Sequence, residues 1–206
     1  MMQEAHSKPK LIIIGASGHG KVIADIARLN GYEEIVFLDD NDQLRECGSF
    51  PVVGCTDLVA SMQGELFVAV GNSKIRKALM ETFSDRVFPV LVHPNAVVAK
   101  DSLVGCGSVI MAGAVINPDA KIGCGAIINT CSSVDHDCIV GDYVHVSVGS
   151  HLCGTVCVGD CSWIGAGAIV SNNINICPEC MIGAGAVVVC DLDIPGTYIG
   201  IPAKLR

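Results

Sequence analysis

The sequence predicts a two-part chain, an α/β domain of strand, loop and helix units followed by a parallel β-helix. Three observations predict it. A glycine-rich turn joins an apolar run to an amphipathic segment near the start, an aliphatic residue recurs every six positions through the second half, and a glycine recurs every eighteen. Sequence repeats at such short fixed periods signal a solenoid, since neither helical nor strand periodicity produces them.

The first expected strand is the apolar run Leu11–Ile14, leading into "GASGHG". "KVIADIARLN" then places Val22, Ile23, Ile26, Ala27 and Leu29 at helical spacing, and Gly31 supplies the stop. "IVFLDD" reads as the second strand, and "LFVAV" before "GNSKIRKAL" repeats the strand-to-helix step. Alternation of this kind implies a small parallel sheet with flanking helices, a Rossmann-like βαβ domain over residues 1–93. Pro89 and "HPN" mark the crossing into a second domain, 94–206.

From Val98 to Ile194, every sixth residue is aliphatic, seventeen positions in all. Four places on in each hexad the residues are mostly small, among them Ser108, Ala114, Ala126, Ser132 and Ser150. Gly105, Gly123, Gly141 and Gly159 lie eighteen apart, so three hexads make one coil. The chain therefore winds a little over five coils, stacked about 4.8 Å apart. Aliphatic side chains fill the prism, while glycines and small residues turn its corners. Cys106 and Cys124 should stack in adjacent coils.

Composition excludes several classes. A net charge of −8 with only 13 Lys and Arg argues against a nucleic-acid partner. The apolar runs are too short to span a bilayer, and the start lacks the layout of an export signal, so a cytoplasmic protein with no membrane partner is expected. The twelve cysteines then read as reduced, small, buryable side chains. Cys177 and Cys180 form one C-x-x-C, but no second pair stands at zinc spacing, and no metal is expected.

Gly15, Gly18 and Gly20 stand between a strand and a helix, where backbone N–H groups suit a phosphate. Their G-x-x-G-x-G spacing is not the dinucleotide fingerprint, and a purely structural turn is an equal reading. Asp39 lies where a ribose-binding acid would sit, and His19 can face a phosphate or a sugar.

Residues 132–151, "SSVDHDCIVGDYVHVSVGSH", hold three histidines and three aspartates in the repeat. By hexad position, Asn129, His136, Asp137 and His145 all point away from the prism interior. For His151 and His6 a solvated surface role is the expectation. His136 differs, because Asp135 and Asp137 flank it and either carboxylate would raise its pKa. One coil later its column holds Gly154, which leaves open space beside the ring.

"GASGHGKVIADIARLNGYEEIVFLDD" ahead of "NTCSSVDHDCIVGDYVHVSVGSHLCG", closed by "GIPAK", resembles the NeuD/PglD family of hexapeptide-repeat sugar acyltransferases from about Lys10 to Lys204. The resemblance implies a left-handed β-helix and a homotrimer with acetyl-CoA bound between neighbouring solenoids. It implies an N-acetyltransferase acting on a UDP-linked 4-amino-4,6-dideoxy sugar, as in bacillosamine synthesis. His136 matches the family's catalytic histidine, Asp137 the acid after it, often Glu in the family, and Asn129 a polar residue near the reacting centre. His145, Gly154 and Ala166 match positions contacting acetyl-CoA. Gly15, Ser17, Gly18, His19, Asp39, Gly71 and Asn72 match the nucleotide-sugar pocket. An O-acetyltransferase of sialic acid or capsule sugar, and a non-catalytic nucleotide-sugar-binding protein, remain alternatives.

Overall fold

The computed structural model describes residues 8–206, so His6 lies outside the described residues. In the first part β1 (Leu11–Ile14), β2 (Ile35–Leu38), β3 (Glu46–Cys47), β4 (Phe50–Gly54) and β5 (Glu65–Val68) form one sheet in the order β3-β4-β2-β1-β5. All pairings are parallel except the β3–β4 hairpin. β1 and β2 are buried throughout, which is why they read as unbroken apolar runs. Helices α1 (Gly18–Leu29) and α2 (Ser73–Thr82) follow β1 and β5. α1 begins three residues before the apolar pattern and takes His19 and Gly20 into its first turn. Only glycine fits at position 20, where a Cβ would stand 2.9 Å from the Phe37 ring.

The β-helix presents three faces of two-residue strands, with six, five and eight strands, the last including the closing pair Thr197–Ile199 and Lys204–Leu205. Register runs in steps of eighteen, so His145 pairs with Ile127 below and Trp163 above. The expected aliphatic column is buried from Ile110 to Val188. Its last member breaks the pattern. Ile194 is 60% exposed, and Leu192, at 4%, fills the interior instead, because the final coil is cut short where Leu192 bridges to Ile176.

Two kinds of glycine build the coils. Every fourth hexad position from Gly107 to Gly185 has φ between 54° and 68°. That left-handed turn makes each corner, and Asp119, Asp137 and Asn173 occupy it as well as glycine does. Gly105 and Gly123 instead permit close stacking: a Cβ on Gly105 would lie 2.5 Å from the Cys124 backbone nitrogen. Cys106 and Cys124 stack as expected, with their sulfurs 3.1 Å apart.

Pairing of the β-helix starts at Leu91–Val92, against Val109–Ile110. Outward-facing Leu91, Val109 and Ile127 of this face share one core with Leu11, Ile13, Ile23 and Phe37 of the first part. That face, here named the docked face, continues beyond the cover as His145, Trp163 and Met181. Asn30 fastens the junction, its side-chain amide exchanging hydrogen bonds with the Val92 N–H and C=O.

Candidate active site

The residues singled out in the sequence fall in two places. The first is the corner between the two faces that the α/β part does not cover. Ser133–Val134 and Ile139–Val140 belong to those faces, and His136 lies in the turn between them. Asp137 takes the left-handed corner conformation at φ 58°, and its Oδ2 accepts the His136 Nδ1–H at 2.7 Å. Asp135 is used differently. Its Oδ1 accepts the backbone N–H of His136 at 2.7 Å and the Asn117 side-chain amide at 2.6 Å. The hydrogen bond to Asp137, helped by the charges of Asp135 and Asp137, raises the His136 pKa above its ordinary value. With Nδ1 committed, Nε2 is the nitrogen able to take a proton.

Gly154 lies one coil beyond and is buried, not open. The imidazole itself lies over it: a Cβ on Gly154 would stand 2.6 Å from His136 Nε2. The space expected beside the ring is therefore the seat of the ring.

The second place is the seam where the α/β part ends on the docked face. His145 points away from the prism yet is only 8% exposed, because Trp163 stacks over it with centroids 4.6 Å apart. Asn129 donates to its Nε2 at 3.0 Å, so Asn129 pairs with His145 and stands apart from His136 within one chain. Burial, then the nearby charge of Arg76 and His19, pushes the His145 pKa down to about 3. His19 is lowered to about 4, by burial first and Arg76 second. Among the described residues, His19 Nε2, His145 Nδ1 and Ser147 Oγ are buried without a hydrogen-bond partner. A groove of about 410 Å³ runs past Asn129, His145, Ser147, Trp163 and Ala166. A second cavity, of about 320 Å³, lies between Gly71, Asn72 and Lys74 on one side and Trp163 and Met181 on the other.

The remaining candidates also cluster at this end of the α/β sheet. Gly15 is required by φ 106° and by Ala69, whose carbonyl oxygen a Cβ would meet at 2.8 Å. Gly18 and Gly71 have nothing within 4 Å of a notional Cβ, so both open toward space. Ser17 is the α1 N-cap without a side-chain cap bond. Asn72 caps α2, its Oδ1 accepting from the N–H groups of Lys74 and Ile75. Asp39 Oδ2 accepts the Ala16 N–H at 2.7 Å, giving this acid a structural task in holding the glycine loop. It also lines a cavity of about 410 Å³ with Asp40, Asn41 and Arg45.

The family model for the PglD N-terminal domain matches residues 10–83. The acetyltransferase domain of PglB from Neisseria gonorrhoeae FA1090 superposes with a TM-score of 0.93 at 42% identity, covering 96% of this chain and 99% of that one. The chain belongs to the PglD family of sugar acyltransferases. That PglB domain has also been solved in complex with acetyl coenzyme A, again with a TM-score of 0.93. Another PglD-like structure, PerB from Caulobacter crescentus in complex with CoA and GDP-perosamine, matches with a TM-score of 0.90 at 36% identity over 96% of this chain and 97% of that one. A curated relative, UDP-N-acetylbacillosamine N-acetyltransferase of Bacillus subtilis (strain 168), is 37% identical over 108 residues, 48% of this chain. The match spans about half the length of that relative.

Two residues that the structure brings to this seam, Trp163 and Arg76, were not singled out from the sequence. Trp163 stands eighteen residues after His145, so the coil period carried a signal for it. Arg76 left none, being one of several charges on an amphipathic helix. Among the described residues no group of three or more His, Cys, Asp or Glu is placed to hold a metal ion, and no helix is long and apolar enough to cross a membrane.

Proposed function

We propose that the protein transfers the acetyl group of acetyl-CoA to the amino group of a nucleotide-linked 4-amino-4,6-dideoxy sugar, with a UDP-linked substrate favoured. The observation that carries this is the His136–Asp137 pair, exposed at a corner with Nδ1 tied and Nε2 available. The sugar nitrogen attacks the thioester carbonyl carbon, His136 Nε2 takes the proton, and the carbon–sulfur bond breaks. The same proton then neutralises the departing CoA thiolate. Asp137 orients the ring and stabilises the imidazolium. General-base help of this kind is worth roughly 10² to 10⁴-fold.

His136 and the His19, Gly71 and Asn72 cluster lie on opposite sides of the prism, separated by its aliphatic core. One chain cannot bring them together. A homotrimer resolves this, with the corner of one copy placed against the seam of the next, so that His136, seated on Gly154, in one chain meets His145, Asn129 and Ala166 of its neighbour. Acetyl-CoA then lies in the groove between solenoids, and the nucleotide in the glycine-loop pocket. Relatives with CoA bound and with GDP-perosamine bound support this reading.

The test is acetyl transfer from acetyl-CoA to a panel of UDP- and GDP-linked 4-amino sugars and their 4-hydroxy counterparts, using wild type and His136→Ala. The expected result is transfer to the UDP-amino sugar, lost by at least about a hundredfold in the variant with CoA affinity retained. Transfer to the hydroxyl sugars alone, or an unchanged rate in His136→Ala, overturns the proposal.

A further inference from the structure

Arg76 is 1% exposed and, among the described residues, has no carboxylate partner. Its guanidinium spends four N–H groups on backbone carbonyls from two domains. Nη1 donates to Val70 O at 2.8 Å and Gly71 O at 3.0 Å, Nε to Gly125 O at 2.7 Å, and Nη2 to Tyr143 O at 2.6 Å. Gly125 and Tyr143 are corner residues in the left-handed conformation, one coil apart. The coil ladder uses the carbonyl before each of them, Cys124 O accepting the Tyr143 N–H, for example. The corner carbonyls are left for a donor from outside.

α2 supplies those donors because its pitch nearly matches the stacking. A helix advances about 5.4 Å per turn, and coils repeat about every 4.8 Å. Ser73 accordingly donates to Cys161 O, Arg76 serves Tyr143 and Gly125, and Met80 lies against Gly107 and Gly125. Only Arg76 also reaches back to the Val70–Gly71 turn. That turn lines one side of the seam cavity opposite Trp163, which stacks over His145, and Tyr143 lies on the coil that bears His145.

We propose that Arg76 is a positioning residue, whose fork fixes the Val70–Asn72 turn against the His145 coil and so sets the width of the seam that receives the sugar end of the substrate. The inference rests on the function proposed above. Lysine keeps the charge but not the planar fork, and cannot hold four carbonyls from the turn and two coil corners at once. Arg76 and His19 are the titratable groups that bear on His145, so removing the guanidinium also lets His145 bind a proton more readily.

The experiment compares wild type with Arg76→Lys and Arg76→Met. Arg76→Lys should lower kcat/KM for the nucleotide sugar about ten- to a hundredfold while leaving the KM for acetyl-CoA unchanged. The lone tryptophan, Trp163, packs against His145, and protonation of that ring should quench its fluorescence. Its quenching midpoint, followed from pH 8 downward, should therefore move to higher pH in Arg76→Met, with burial still holding it below the ordinary histidine value. If Arg76→Met does not fold, Arg76→Lys carries the kinetic test alone. Folded variants with wild-type kcat/KM and an unmoved midpoint overturn the inference. Absence of transfer by wild type would instead sink the proposed activity, while the fluorescence midpoint would still decide what Arg76 does.

Discussion

At the scale of single residues, His136 and His145 show how one side-chain type takes opposite characters. His136 is exposed and tied to a carboxylate, so its charged form is favoured. His145 is buried near a cation, so its neutral form is enforced. Because the folded pKa of His136 is raised, the base is protonated and idle below it, and kcat/KM should rise with pH through a limb above 6.5. Asp137→Asn removes the largest cause of that shift, and the limb should move to lower pH while the plateau rate falls. A pH–rate profile of both proteins checks this. An unmoved limb would assign the titration to another group. The sequence left Asp135 and Asp137 equivalent as partners of the ring. The corner conformation separates them, since φ 58° at Asp137 turns its carboxylate toward Nδ1, while Asp135 holds backbone and Asn117.

At the scale of elements, the hexad was legible because a buried column tolerates only aliphatic residues, and repetition multiplies the signal. It failed at Ile194, where the coil shortens and periodicity has no more neighbours to stack upon. The two glycine classes lead to a comparison. Gly123→Ala puts a Cβ 2.6 Å from the Asp142 backbone nitrogen and 2.7 Å from the Gly141 carbonyl carbon, neither of which can swing aside. It should cost roughly 1–3 kcal/mol. Gly149→Asn lies at φ 61° with nothing within 4 Å, a conformation that Asn173 already adopts at the same hexad place. Its cost should stay within about 1 kcal/mol. Urea titration of both variants measures the difference, and equal effects would mean that coil stacking is looser than these contacts imply.

At the scale of the whole molecule, the proposed site is split by the thickness of the prism, and this makes a prediction about mixtures. His136→Ala lacks the base and His19→Ala weakens the nucleotide-sugar pocket, yet each retains the half the other lost. Mixed oligomers assembled from equal amounts should recover about a quarter of wild-type activity at low nucleotide-sugar concentration, because one neighbouring pair in four unites an intact pocket with an intact corner. No recovery above the sum of the two variants would place the whole site within a single chain.

The sequence by itself determined the β-helix, the βαβ start and the residue types of the candidate site, since periodic burial and the chemistry of a histidine between carboxylates are written locally. Tertiary structure alone decided which residues meet. Asn129 joined His145, Trp163 covered it, and Arg76 bound the two domains. Such pairings depend on how coils stack and on which face the first domain covers. Distance along the chain carries no record of either, so they become visible only when the folded surfaces are brought together.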